Sequence, residues 1–472
     1  MPKDAEKLSK ELLFSYKHVA KEDKKEFKKS DEFSTAYKEF LNKAKTEREC
    51  VALAKEMLTK AGYKEFDITK KYKAGDKVYK INRGKAIMAA TFGSKDLNEG
   101  IRINAAHIDS PRLDLKPNPL YEKNELAFFK THYYGGIRKY QWVTIPLAMH
   151  GVVVKKDGTK VEINIGEAQD DPVFMISDLL PHLGMKQGER KLAEGINGEE
   201  LNIIVASLPL DDADIKDAVK LHAMKLLNDR YGITERDFAR AEIEFVPALK
   251  ARDMGFDRSM VMAYGQDDRV CAYTSLVAML EVDNVKRTTC CLLVDKEEIG
   301  SVGATGMQSR FFENAVAEIL TLMGKPNSVS VRRTLEKSRM LSSDVSAGYD
   351  PLYASAYEKK NASYLGMGVV FNKFTGSRGK AGSNDANAEY MGFIRRVMES
   401  NNVTYQTAEL GKVDLGGGGT IAYIMALYGM NVIDCGVAVL SMHAPWEITS
   451  KADIYEAKQC YVAFLNAADE SI

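Results

Sequence analysis

Hydrophobic and polar positions change their pattern three times along this chain, and the changes divide it. Up to about residue 62 apolar side chains recur at helical spacing: Phe33, Tyr37, Phe40, Leu41 and Ala44 form one stripe, and Val51, Ala54, Leu58 and Ala61 another. The lysine-rich opening from Lys3 to Lys29, with glutamates interleaved, reads as a solvated helical face. From Lys77 short apolar runs take over, and VYKINRGKAIMAATFG (78–93) and GIRINAAHIDS (100–110) read as successive strands. Between Asn118 and about Ala251 the period falls to two, as in WVTIPLAMHGVVVKK and KVEINIGEA, which predicts antiparallel strands. Acidic helical segments flank LNIIVASLPL there, and AEIEFVPAL closes the stretch. After Arg252 helical and strand-like runs alternate: SLVAMLEV, TTCCLLVDKEEIG, FENAVAEILTLMG, TIAYIMALYGM and NVIDCGVAVLSMH. That succession predicts a mixed α/β sheet. The expectation is an α/β domain in two parts, residues 1–117 with its N-terminal helices and 252–472, interrupted by a β-rich domain at 118–251. A chain of 472 residues is long enough to need more than one core.

Composition narrows the partners. The 66 basic and 66 acidic residues cancel, so charge points neither to nucleic acid nor to an anionic membrane. No apolar run approaches the ~20 residues that span a bilayer, and the charged opening lacks the apolar core of a signal peptide. Cys50, Cys271, Cys290, Cys291, Cys435 and Cys460 are scattered through mostly apolar segments with no CxxC pair. They read as reduced, buried thiols of a cytoplasmic protein.

Seven histidines carry most of the chemical signal. His18 and His222 lie in helix-like charged surroundings and read as surface residues. His132 and His150 lie in β-patterned segments with no acid nearby in sequence. His107 and His443 each follow an apolar strand-like run, and side chains at the carboxyl ends of strands in an open α/β sheet face the crevice where ligands bind. Asp109, two residues after His107, is placed to take the proton of one ring nitrogen while the other binds metal. In DKEEIGS (295–301), two glutamates end a buried strand, a costly arrangement without partners. A cation on Glu298 offsets that cost and leaves Glu297 beside it to take a proton from water. A solvated pair, with Gly300 making the turn, is the alternative. Asp267 and Asp268 read either as ligands or as acids at a helix N-terminus, and Asp344 either as a ligand or as an Asx turn. Together, two histidines, one glutamate and two aspartates form an N/O donor set that suits paired zinc, with manganese or cobalt as substitutes. Paired ions about 3.5–4 Å apart require a bridging carboxylate. Gly416–Gly419 lacks the lysine of a phosphate-binding loop and reads as a close-packed helix start.

The motifs AAHIDSPRLDLKP, YGGI, LLPHL, DDRV, DKEEIGS, SSDV, GGGGTIA and SMHAPWE follow one another between Asn104 and Glu447. In this order they resemble the aspartyl aminopeptidase family of co-catalytic zinc exopeptidases. The resemblance implies two zinc ions per subunit, one on His107 and Asp344, the other on Glu298 and His443. Asp267 would bridge them, with Asp268 as its cis-peptide partner and the neighbouring candidate for the bridge. Glu297 would be the general base and Asp109 the orienter of His107. His182 would reach from a neighbouring subunit to stabilise the oxyanion. Implied too are peptide substrates with a free N-terminus, and a homo-oligomer of dimers assembled into a tetrahedral dodecamer, with 118–251 as the dimerisation domain. The chain departs from the eukaryotic members after SSDV, where SAGYDP replaces their histidines. Their acid-reading lysine falls near Asn372, with Lys373 only a neighbour, and their pocket tyrosine is absent near Ala381. A neutral or broader preference is therefore open beside an acidic one. Two further readings remain at this point: a di-metal deacylase, dipeptidase or carboxypeptidase, and a non-catalytic scaffold with a vestigial site.

Overall fold

The strands at the centre of the molecule are buried on both faces and run parallel, as strands covered on both sides do. The structure is a computed structural model that describes residues 2–22, 24–211 and 215–468. The side chains of residues 2–4, 22 and 24–26 lie outside the description, so the lysine-rich face is described only in part.

Among the described residues the strands form three sheets of nine, six and five strands. In the largest, four parallel neighbours lie side by side: Thr289–Val294, Arg102–His107, Arg339–Ser342 and Asn431–Gly436. Registration sorts their side chains. Ile103 and Ala105 share a face and a core with Met340 and Val432, while Ala106 shares the opposite core with Leu341 and Ile433. Helices Gln266–Glu281, Ala388–Ser400 and Lys451–Asn466 supply apolar side chains to the second core, and Phe311–Leu322 to the first. The mixed α/β architecture read from the sequence is the one observed. All four parallel strands point their carboxyl ends to one edge of the sheet, and the loops leaving that edge carry the acidic motifs.

The six-stranded sheet is antiparallel throughout and is built from segments between Arg112 and Pro247. It has its own core, including Trp142, Phe129 and Phe245. Its first strand, Arg112–Lys123, starts four residues after the His107 strand has ended, so the two sheets meet beside His107.

Several local expectations are corrected. Residues 78–93 form two strands, Lys77–Asn82 and Ala86–Thr91, joined by a tight turn with Arg83 (φ 54) and Gly84 (φ 72) in the left-handed region. The N-terminal helical region is interrupted at 13–18, between helices Pro2–Leu12 and Val19–Glu22. TIAYIMALYGM contains only the short helix Ala422–Ala426. NVIDCGVAVLSMH breaks into Asn431–Gly436 of the large sheet and Ala438–Leu440 of the five-stranded sheet. No helix among the described residues is long and apolar enough to cross a membrane.

Candidate metal centre

His107 ends its strand and is 1% exposed. Its Nδ1 lies 3.0 Å from the carbonyl oxygen of Asp109. A carbonyl only accepts, so Nδ1 carries the proton and Nε2 turns to the carboxylates. Nε2 is 3.1 Å from Asp267 Oδ1 and 3.9 Å from both Glu297 Oε2 and Asp344 Oδ1. Burial disfavours charge on this ring, yet its bonds to Asp109 and Asp267 hold its pKa well above the usual range.

Asp109 does more than face one histidine. Its buried carboxylate accepts the Glu297 and Glu298 backbone N–H groups at 3.2 Å each and the Tyr134 hydroxyl at 2.8 Å, and it lies 3.3 Å from His107 Nδ1. It thereby fixes the turn Glu297–Ile299, which is flanked by Lys296 (φ 72) and Gly300 (φ 92).

Asp267 and Asp268 open helix Gln266–Glu281 with non-helical backbone, and the peptide bond between them is cis. Both are buried beneath the sheet edge rather than solvated at a helix terminus. Asp267 presents one carboxylate oxygen to each histidine, Oδ1 to His107 Nε2 at 3.1 Å and Oδ2 to His443 Nε2 at 3.2 Å. Asp268 instead accepts the His107 backbone N–H at 3.4 Å, and its Oδ1 has no hydrogen-bond partner.

Glu298 brings Oε2 to 3.5 Å from His443 Nε2, while its buried Oε1 is unpartnered. Burial, reinforced by the charge of Asp267, raises its pKa well above the carboxylate range. The Glu297 carboxyl is pushed up to about 7 by burial and by the charges of Asp267 and Asp109, which suits proton exchange near neutrality. Asp344, in the loop after Arg339–Ser342, is raised by burial and then by Asp268 and Glu297.

His443 arrives from a different place than its apolar run implies. It sits in a turn of the five-stranded sheet, between Ala438–Leu440 and Glu447–Ser450, with φ 65. That unfavourable backbone is held by Glu447, whose Oε1 accepts the His443 N–H at 2.8 Å. The Glu447 Oε2 accepts the Asp267 N–H at 3.0 Å. The His443 Nδ1 lies 2.7 Å from the Gly136 carbonyl, so here too Nε2 faces the acids. Despite burial, its bonds to Asp267 and the charge of Glu298 lift its pKa to about 10. Glu447 and Tyr134 escaped sequence reasoning, although both belong to quoted motifs, SMHAPWE and YGGI. A glutamate opening the buried strand EITS is the signal that could have found the first.

The donor set fits zinc. Ligand atoms of His107, Asp267 and Glu298 all lie within 4.8 Å of one another, as do those of His107, Glu297 and Asp344, and of Asp267, Asp268 and Asp344. More carboxylates than cationic groups are buried here, and two of them, Asp268 and Glu298, have an unpartnered oxygen, which a divalent cation would satisfy. A cleft of about 510 Å³ opens over the cluster, lined also by Gly136, Val345, Leu410, Tyr423 and Met442. Gly418, Gly419 and Thr420 form part of its wall. A Cβ on Gly417 (φ 110) would lie 2.5 Å from the Gly376 carbonyl, so the glycine run answers a close backbone approach.

His182 does not join this centre within one chain. It is exposed in a turn, and none of the described hydrogen bonds ties it to the site. Its neighbours Leu179, Leu180, Leu183 and Met185 are exposed as well. Lys373 pairs with Asp385 at 2.5 Å and does not line the cleft.

The sequence model of the family described as "Aminopeptidase I zinc metalloprotease (M18)" matches residues 40–465. A curated relative, the probable M18 family aminopeptidase 1 of Clostridium acetobutylicum, is 58% identical over 461 residues, 97% of this chain and 99% of that protein. The crystal structure of an M18 family aminopeptidase from Thermotoga maritima superposes with a TM-score of 0.93 at 46% identity, covering 96% of this chain and 99% of that one. A more distant likeness, at 20% identity and a TM-score of 0.74, is to the mApe1 dodecamer of S. cerevisiae, covering 92% of this chain and 96% of that one. It shows the fold alone.

Proposed function

The chain belongs to the M18 family of zinc metalloprotease aminopeptidases and is itself a metallo-aminopeptidase, and from that premise we propose how its residues divide the work. Two zinc ions are held per subunit, one by His107 and Asp344, the other by Glu298 and His443, with Asp267 between them. The observation that carries this reading is Asp267, whose two oxygens each face the Nε2 of a different histidine. Manganese and cobalt suit the same N/O donors.

When bound, zinc supplies Lewis acidity, polarising the scissile carbonyl and making water easier to deprotonate. The protein supplies the rest. Asp109 and the Gly136 carbonyl fix both imidazole tautomers. Glu297, whose carboxylate lies 3.9 Å from His107 Nε2, takes the proton from the attacking water and delivers it to the leaving amine. The acidic cleft favours a cationic, free N-terminus and disfavours an acylated one. Among the residues lining it there is no lysine or arginine, and Val345, Leu410 and Met442 present apolar surface. Neutral, apolar N-terminal residues are the preferred substrates on this reading, ahead of aspartate and glutamate.

His182 acts in a partner's cleft, with 118–251 as the dimerisation domain and dimers assembling into a tetrahedral dodecamer. Support comes from the apolar surface around His182, with Leu183 69% and Met185 74% exposed, and from the dodecameric state of the distant yeast homologue. The six cysteines are buried and unpaired, which fits the reducing cytoplasm.

The test is hydrolysis of aminoacyl-p-nitroanilides, with free and acetylated termini, by metal-stripped protein to which zinc, manganese or cobalt is restored. The expected result is metal-dependent release from free-amine substrates alone, with leucine ahead of aspartate. Release from acetylated substrates overturns the assignment of the cleft, and an aspartate preference overturns the apolar pocket.

A further inference from the structure

The outer supports of both histidines come from one place, the end of strand Leu126–Tyr134 in the six-stranded sheet and the glycines after it. Tyr134, the last residue of that strand, is buried, and its hydroxyl donates to Asp109 Oδ2 at 2.8 Å. Two residues on, the Gly136 carbonyl takes the proton of His443 Nδ1 at 2.7 Å. Between them, Gly135 has φ 75, and a Cβ there would lie 3.2 Å from Glu298 Oε2. The chain therefore passes against the cluster with no room to spare.

Tyr134 is in turn held by its own sheet. Arg112 is its cross-strand partner, and the Arg112 guanidinium lies 3.8 Å from the centre of the Tyr134 ring. Arg112 also pairs with Glu244 of the same sheet at 3.2 Å and with Glu47 of helix Glu47–Lys60 at 3.4 Å. The phenol is thus a stiff arm between a buried ion network and Asp109. The Asp109 carboxylate accepts three hydrogen bonds and lies 3.3 Å from His107 Nδ1, and of its three donors the hydroxyl of Tyr134 is the one that comes from the six-stranded sheet.

We propose that Tyr134 is a positioning residue of the metal centre: through Asp109 it sets the orientation of His107 and of the Glu297–Glu298 turn, so that the six-stranded sheet helps determine how tightly zinc is held. The inference rests on the metal-binding reading above. Groups that contact a metal ligand, as Asp109 does, change metal affinity by about 10–100-fold when removed, and Tyr134, one layer beyond Asp109, takes the low end of that range.

Tyr134→Phe removes the hydroxyl and keeps the ring on Arg112. Zinc retention is measured for wild type and variant against a graded series of chelator, and melting of both proteins is measured in excess chelator. The expected result is about tenfold weaker zinc retention with an unchanged melt of the metal-free form. In an Asp109→Asn background the same substitution should add little, because the route is already cut. Wild-type retention by Tyr134→Phe overturns the proposal, and so does an effect that adds in full to that of Asp109→Asn. A metal-free melt that falls in step with retention makes Tyr134 a prop of the fold and overturns it equally. Absence of zinc from the wild type in the same titration is a separate outcome, which overturns the metal reading and this inference with it.

Discussion

Among the described residues lie two buried histidine–carboxylate clusters, and only one of them has the makings of a metal centre. His150, on strand Leu147–Val154, is 1% exposed like His107. Its Nδ1 lies 2.8 Å from Glu49 and its Nε2 3.1 Å from Glu167, while Lys45 pairs with Glu167 at 3.0 Å. Carboxylates only accept, so both ring nitrogens must donate and the ring is an imidazolium. Two anions meet two cations, and the cluster is closed. Around His107 and His443 each ring gives one nitrogen to a carbonyl and aims the other at an excess of acids. The lesson is that burial and acidic neighbours do not distinguish a ligand from a structural histidine. On the proposed assignment, a ligand is marked by a carbonyl on the far nitrogen together with unbalanced negative charge on the near one.

The sharpest way to break the comparison is at Glu297, which has no counterpart near His150. Glu297→Gln should retain zinc yet lose about 10²-fold or more in kcat, read from p-nitroanilide turnover beside metal content; near-normal turnover removes it from the mechanism. His182 tests whether a histidine outside every described ion pair can still serve the chemistry. His182→Ala should lower kcat by roughly 10²-fold, and mixing those chains with Glu297→Gln chains should restore part of the activity. Verified mixed oligomers with no restoration exclude action across subunits.

Smaller effects probe the supports. Glu447→Gln weakens the clamp on His443 and Asp267, and zinc retention against chelator should fall about tenfold; unchanged retention makes the clamp irrelevant to metal. At the closed cluster the expected outcome is different in kind. His150→Gln should leave turnover per folded molecule unchanged and cost about 3 kcal/mol of stability. The pKa of His150 is raised in the folded state: burial opposes this, but its bonds to Glu167 and Glu49 prevail. Its contribution is therefore complete below the unfolded value near 6.5 and is lost as pH rises through the folded value. Urea titrations across that range should show the gap between wild type and variant closing as pH rises. A gap that widens with pH reverses the charge assigned to His150.

How much of this was legible in sequence depended on distance along the chain. RINAAH reads as a buried strand ending in a histidine, and it is one. The run GVAVLSMH looks the same, yet Val437 separates two strands that belong to different sheets, and His443 lies in the turn beyond them. An apolar run reports burial and cannot say against which sheet. The hairpin inside residues 78–93 was hidden because its turn is only a few residues long and carries arginine, not asparagine, ahead of its glycine. His150 appeared to have no acidic partner because Glu167 is 17 positions away, on the far side of the next strand, and Glu49 is 101 away. The double role of Asp109 was invisible for the same reason, since the backbone N–H groups it accepts lie 188 and 189 positions on.

The same separation has a consequence for biosynthesis. The residues that form the centre run from His107 to Glu447, a span of 340 positions (447 minus 107). At about 5–20 residues per second a ribosome needs roughly 20–70 s to traverse it. Throughout that interval His107 has been made while His443, whose turn closes the cluster, has not. On the proposed assignment, the ligands His107, Asp267 and Asp344 are all made by residue 344, whereas the site that needs His443 is complete only when synthesis is nearly over.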